Sequence, residues 1–249
     1  MSYHRTVIFP DVHAPNHHEP SFNAALQFTK WYKPHRFIQL GDFCDWDSVT
    51  DYSPKREADI SNIKTEIESA NELLDRIDSV LPKNCERYMV GGNHEARVER
   101  FKVSHGWRPE IRRLKELTSW HQEYNLDKRG WKWCEYRKWF TFWKVVYFHG
   151  NWTGQGAAKK HLDYFKRNVI FGHCHQRLIA TTTDRDGEPM ESESIGTLSK
   201  FDLNYLDLPS HDWVHMFCYV DTDTTSFNFS KHSVHVIKGK FIEFNRRFG

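Results

Sequence analysis

The sequence predicts an α/β layered fold, and three observations predict it. Short apolar runs rich in β-branched residues recur five times between residues 6 and 171, helical periodicities lie between them, and no repeat or Pro/Gly/Ser linker divides the 249-residue chain. Strands alternating with helices bury their apolar faces as layers around a sheet. The first run, Thr6-Val7-Ile8-Phe9, is closed by Pro10 and has the form of a buried strand. A weaker helical pattern covers Ser21 to Lys33, and Arg36-Phe37-Ile38-Gln39-Leu40 repeats the strand form. Ile60, Ile63, Ile67, Ala70, Leu74, Ile77 and Leu81 then recur at three- and four-residue steps up to Pro82, which predicts a helix that stops there. Arg87-Tyr88-Met89-Val90 is the third strand, and 108–124 is a second weak helical stretch. Val145-Val146-Tyr147-Phe148 and Asn168-Val169-Ile170-Phe171 are the fourth and fifth strands, with a helix over Gly156 to Phe165 between them. Beyond residue 176 the helical signal fades. Trp213–Val220 and Ser233–Ile237 read as strands, so 177–249 is expected to form a mainly antiparallel second sheet within one domain spanning 1–249.

Composition narrows the class. Hydrophobic residues make up 39% and charged residues 27%, enough apolar content for a core and too much for a disordered chain. No apolar run approaches membrane-spanning length, and the N-terminal residues lack the apolar stretch of a secretory signal. Cys44, Cys85, Cys134, Cys174 and Cys218 are widely spaced without a CxxC, which favours reduced thiols and a cytoplasmic location over a disulfide framework. The net charge of +2 conceals a division: residues 1–95 carry 10 Lys and Arg against 15 Asp and Glu, whereas 96–145 carry 13 against 6. Sixteen histidines and ten tryptophans are further excesses.

The histidines acquire meaning at the strand ends. Asp11-Val12-His13 follows the first strand, Gly41-Asp42-Phe43-Cys44-Asp45 the second, and Gly91-Gly92-Asn93-His94-Glu95 the third. His149-Gly150 follows the fourth and Gly172-His173-Cys174-His175 the fifth. Open α/β sheets bind ligands at the carboxyl ends of their strands. Imidazole with carboxylate suits Mn²⁺, Fe²⁺ or Zn²⁺, and the absence of thiolates from the set argues against a structural zinc site. One such dipeptide would be an ordinary turn; five in order, each at a strand end, point to a metal centre.

In order and approximate spacing, DVH, GDFCD, GGNHE, HG and GHCH resemble the five signatures of the calcineurin-like metallophosphoesterases, over roughly Thr6 to Gln176. The resemblance implies a four-layer sandwich of two mixed β-sheets flanked by helices, with a two-metal centre. It implies that Asp11, His13 and His175 hold one ion, that Asn93, His149 and His173 hold the other, and that Asp42 bridges them. Two cations about 3.5–4 Å apart generate a nucleophile near neutral pH and offset the charge on a phosphoryl group under in-line attack. The resemblance also makes His94 the group facing the leaving oxygen, oriented by Asp45. A His–Asp pair would keep that imidazole protonated for general-acid work, the other reading being that His94 only hydrogen-bonds the phosphate.

Departures narrow the subfamily. Trp46-Asp47 stands where Ser/Thr protein phosphatases of this superfamily carry Arg-Gly, although Glu95 matches their GNHE form. Arg97 and Arg100 either supply the missing phosphate contact or are solvated helix residues. The stretch KRGWKWCEYRKWFTFWK interleaves cations with aromatic rings, as single-strand-binding surfaces do. Trp131, Trp133, Cys134, Tyr136, Trp139 and Trp143 equally suit a hairpin with one buried face. The expected function is therefore hydrolysis of phosphate esters by metal-activated hydroxide, with two divalent ions, manganese first, then Fe²⁺, Zn²⁺ or Mg²⁺. The expected substrate is a phosphodiester of DNA or RNA, with single-stranded nucleic acid contacted through 105–145. The alternatives are a phosphomonoesterase acting on nucleotides or phosphoproteins, and a catalytically silent metal-binding scaffold.

Overall fold

The structure, a computed structural model, describes residues 3–49, 63–105, 117–202 and 212–249. The first sheet is built on β1 (Tyr3–Phe9), β2 (Arg36–Gln39), β3 (Glu86–Val90) and β4 (Trp131–Cys134), which run parallel side by side. The second is built on β5 (Trp139–Phe142), β6 (Val145–Phe148), β7 (Asn168–Phe171), β8 (Arg177–Thr183) and β9 (Pro189–Ile195), in the order β5-β6-β7-β9-β8. β10 (Met216–Asp223) joins the free edge of β1 antiparallel, and β11 (Phe229–His235) pairs with β10. A hairpin of β12 (Phe241–Glu243) and β13 (Arg246–Phe248) closes the chain.

Both faces of the central strands are covered, which is why they read as unbroken apolar runs. Ile8, Ile38, Leu40 and Tyr88 of the first sheet meet Val145, Tyr147, Ile170 and Ile195 of the second in an inter-sheet core. The opposite pleat of the first sheet, with Val7, Phe9, Phe37 and Met89, packs on Phe22, Ala25 and Phe28 of α1 (Glu19–Tyr32) and Leu74 and Ile77 of α2 (Ile63–Val80). Val146, Phe148, Val169 and Phe171 pack on Ala157, Ala158 and Leu162 of α5 (Ala157–Phe165). The layers are helix, sheet, sheet, helix, as expected. α1 carries a proline in its first turn and ends at Lys33, whose φ of 52° is left-handed and whose N–H donates to Thr29 O. Among the described residues the remaining α-helices are α3 (Glu95–His105) and the single turn α4 (Trp120–Glu123).

Two expectations are corrected. The C-terminal strands do not make up one second sheet: β8 and β9 complete the second sheet, β10 and β11 extend the first, and β12 and β13 pair only with each other. Nor do Trp131 to Trp143 form a hairpin, because β4 pairs with β3 while β5 turns back on β6 through Trp143-Lys144 in the other sheet. Ile60 and most of the expected 108–124 helix, together with Trp107, lie outside the described residues. Among the described residues no helix is long and apolar enough to cross a membrane.

Candidate metal centre

The five strand-end segments converge on one cluster. β1 leads into Asp11 and His13, β2 into Asp42 and Asp45, β3 into Asn93 and His94, β6 into His149, and β7 into His173 and His175. His13, Asp42, His173 and His175 all have left-handed backbone, with φ of 57°, 47°, 67° and 56°. Non-glycine residues enter that region at a cost and are held there by their surroundings, most often at functional sites. Two glycines make room for the carboxylates. A Cβ on Gly92 would collide with Asp42 Oδ1 and the Asp42 nitrogen, and one on Gly172 would collide with Asp11 Oδ1.

Asp11, His13 and His175 form one buried group of potential ligands, and Asp42, His149 and His173 another. In the first, His175 Nε2 lies 2.9 Å from Asp11 Oδ2 and 3.0 Å from His13 Nε2. In the second, His149 Nε2 lies 2.9 Å from Asn93 Oδ1 and 3.3 Å from Asp42 Oδ2. The outer nitrogens are committed elsewhere: His13 Nδ1 donates to Asp45 Oδ1 at 2.6 Å, and His149 Nδ1 donates to Leu40 O at 2.9 Å. When neutral, His149 therefore turns an Nε2 lone pair onto the oxygens of Asn93 and Asp42, and His13 turns one onto His175 Nε2. Acceptors facing acceptors in a buried space call for cations, and ligands fixed through their outer nitrogens are the usual support of a metal site.

The titration behaviour carries the same demand for positive charge. Burial alone would lower the His13 imidazole, but the charge and hydrogen bond of Asp45 outweigh it and raise it to about 9. His149 is likewise pushed up to about 9 against burial, by Asp42 and then Asp11. Burial would raise the Asp42 carboxyl, yet His149 and His94 hold it well below the usual carboxylate range. In the protein alone, protons on these histidines offset the carboxylates; divalent ions would offset them more fully.

His94 and Asp45 are also brought together, in a different way from that expected. His94 Nδ1 donates to the Asp45 backbone carbonyl at 2.8 Å, while the Asp45 carboxylate is engaged by His13 and by Asn16 Nδ2, each at 2.6 Å. Asp45 thus orients His94 through its main chain and His13 through its side chain. Burial, with His13 and Arg97 adding to it, lowers the His94 imidazole to about 3, outweighing the Asp42 and Asp45 carboxylates that lie 3.8 and 3.6 Å from its two ring nitrogens and raise it. Its Nε2 accepts from Arg97 Nη2 at 2.9 Å and lies 3.8 Å from Asp42 Oδ2. Arg97 is therefore part of the cluster, held also by Asp45 O at 2.8 Å and by Asp47. Arg100 is not: it is exposed and donates to Asn93 O and Ala96 O.

Sequence reasoning missed the residues that hold the loops. The fully buried Glu95 carboxylate accepts the backbone N–H groups of Asp42, Phe43, Cys44 and Gly92 and the Tyr124 hydroxyl. Tyr124 in turn accepts from Trp46 Nε1 at 2.9 Å, so the Trp46 that departs from the protein-phosphatase pattern is a structural prop. Glu66 of α2 caps Asp47 N and Ser48 N in the same loop, and burial raises it to about 7. The one legible signal was the final Glu of GGNHE.

The described tryptophans of the basic stretch, Trp120, Trp131, Trp133, Trp139 and Trp143, serve mainly as packing. Trp120 and Trp131 are 0% and 3% exposed. Trp133 stacks on His121 at 3.6 Å, and Trp139 packs edge-on to Phe165. Trp143 lies at the far end of β6, against His4 and Arg36. The β4–β5 loop reaches the cluster, where Tyr136 lies edge-on to His149.

Among solved structures the chain is similar to Vps29 of Chaetomium thermophilum, at 10% identity and a TM-score of 0.40, covering 93% of this chain and 97% of that one. It is also similar to YfcE, a phosphoesterase from E. coli, at 12% identity and a TM-score of 0.38, covering 92% and 98%. No match is found among curated proteins. The family model described as calcineurin-like phosphoesterase matches residues 4–177, a span that contains every strand-end motif of the cluster. The chain belongs to the calcineurin-like phosphoesterase family.

Proposed function

We propose that the chain hydrolyses phosphodiesters of DNA or RNA with two divalent cations, manganese first, held by Asp11, His13 and His175 and by Asn93, His149 and His173, with Asp42 between them. The observation that carries this reading is the buried convergence of ligand atoms, His175 Nε2 with Asp11 Oδ2 and His13 Nε2, and His149 Nε2 with Asn93 Oδ1 and Asp42 Oδ2. When bound, the cations supply a water of lowered pKa and offset the charge growing on the phosphoryl oxygens. The chain's own residues fix the geometry: Asp45 and the Leu40 carbonyl aim the two imidazoles, and Glu95 holds the loop that carries Asp42. Arg97 lies where it can meet a phosphate oxygen, and His94 Nε2, which accepts from Arg97 in the protein alone, would donate to the ester oxygen once it carries a proton. A diester is favoured because Arg97 is the one arginine turned into the described cluster, which suits a singly charged phosphate better than a monoester dianion. The five free cysteines support a reducing, cytoplasmic setting.

With Mn²⁺ supplied, the protein is expected to cleave bis(p-nitrophenyl) phosphate and single-stranded oligonucleotides in preference to p-nitrophenyl phosphate and mononucleotides. A strong preference for monoesters would overturn the diester assignment, and no cleavage of any phosphate ester would overturn the enzymatic one. Replacing His94 by Ala is expected to lower turnover by roughly 10²–10⁴-fold with metal content unchanged; loss of metal in that variant would make His94 a ligand instead.

A further inference from the structure

We propose that Trp213 and Tyr136 are stacking platforms, each receiving one nucleoside of the diester, so that the scissile phosphate is spanned from both sides. The proposal rests on the phosphodiester reading and adds the groups that grip the two ester substituents. The Trp213 ring lies 4.1 Å from the His175 ring, edge to face at 77°. The Tyr136 ring lies 6.2 Å from the His149 ring at 67°. His175 belongs to one ligand group and His149 to the other, so each group has an aromatic ring beside it.

These two rings differ from the other aromatic residues near the centre. Trp46, Tyr124 and Phe43 are fully buried, and the first two are joined by a hydrogen bond that serves Glu95. Trp213 and Tyr136 are only half-buried. Both are nonetheless fixed through their backbones to the metal-site loops. The residue after Trp213, Val214, donates its N–H to His175 O at 3.0 Å. The Tyr136 loop leaves β4 at Cys134, whose carbonyl accepts Gly91 N–H at 2.7 Å, and a Cβ on Gly91 would come within 3.0 Å of Tyr136 N. Phe201 stands edge-on to Trp213 on one side, and the Arg137 guanidinium lies 5.3 Å from the Tyr136 ring on the other. Partly open, backbone-anchored rings beside a phosphate-binding centre, one of them with a guanidinium over it, are what base stacking uses, and stacking tolerates any base.

The test uses the Mn²⁺-loaded enzyme with thymidylyl-thymidine, uridylyl-uridine and methyl p-nitrophenyl phosphate, and measures oligo(dT) affinity alongside. Trp213→Leu and Tyr136→Leu are each expected to lower kcat/KM on the dinucleoside phosphates by roughly 10-fold, chiefly through KM, and to weaken oligo(dT) binding similarly. The two losses are expected to multiply in the double variant, whereas Trp213→Phe and Tyr136→Phe retain most of the activity. Methyl p-nitrophenyl phosphate offers one ring, so at most one of the two Leu variants affects it. The DNA and RNA dinucleotides separate the two sources of the same diester chemistry. Unchanged kcat/KM and affinity in the Leu variants would overturn the platforms, as would a loss that Phe does not rescue and that accompanies loss of metal. Absence of diesterase activity in the unaltered enzyme would instead overturn the proposed function, and oligo(dT) affinity would still decide the platforms.

Discussion

Glu95→Gln is expected to destabilise the protein by about 3 kcal/mol, since hydrogen bonds to a buried charged acceptor contribute about 1.5–3 kcal/mol each. For a chain of this size that corresponds to a melting temperature about 6–12 °C lower. Five donors converge on this carboxylate: four backbone N–H groups and the Tyr124 hydroxyl. Burial, and then the charge of Asp42, push the Glu95 carboxyl upward, while the Gly92 N–H and the Tyr124 hydroxyl pull it down. The net direction is upward, yet four backbone N–H groups that can only donate face this carboxyl, and it is the ionised form that they hold. The amide of Gln puts N–H against N–H, and at least one strand-end loop must move. Thermal unfolding monitored by circular dichroism checks the loss, and Mn²⁺ affinity is expected to fall with it. A Gln variant as stable as the parent would mean that Glu95 is neutral in the folded protein.

Asp42→Asn is expected to be the most damaging substitution for activity. Asp42 Oδ2 lies 3.3 Å from His149 Nε2 and 3.8 Å from His94 Nε2, and Asp42 Oδ1 accepts His94 N–H at 2.8 Å. It is the one carboxylate that faces the second ligand group and the His94 side together. A metal site contributes several kcal/mol to charge stabilisation in the transition state, and each ~1.4 kcal/mol is a factor of ten in rate, so a loss of roughly 10³-fold is expected. Steady-state hydrolysis of a bis-aryl phosphodiester at saturating Mn²⁺ measures it. A variant within about tenfold of the parent would remove Asp42 from the centre of the account.

The parts of this protein that were legible in its sequence are those in which chemistry follows directly on a local pattern. Asp11, His13, Asp42, Asn93, His149, His173 and His175 each come within a few residues of an apolar strand, and parallel strands carry their ends to one side of a sheet. Their support was not legible. Glu95 and Glu66 look like ordinary helix acids, and only the fold brings four loop N–H groups onto one and two onto the other. Asp45 also meets His13, which was not legible, because sequence cannot divide one residue's carbonyl and carboxylate between two histidines.

The path of the tryptophan-rich stretch was not legible for a related reason. Alternating cations and aromatic rings are compatible with a strand that buries one face, and β4 does so, with Trp131 in the core and Lys132 exposed. A strand break at Glu135–Lys138 then sends β5 to the other sheet, which no local pattern announced. The same break brings Tyr136 to the metal centre, while Trp213 arrives there from a segment with no recognised motif.

The most direct test of the account is a calorimetric titration of the metal-stripped protein with Mn²⁺, paired with phosphodiester hydrolysis at each point. Two ions bound per chain, with activity appearing as the second site fills and abolished by chelation, is the predicted result. A single ion per chain at full activity, or hydrolysis that persists without metal, would contradict it.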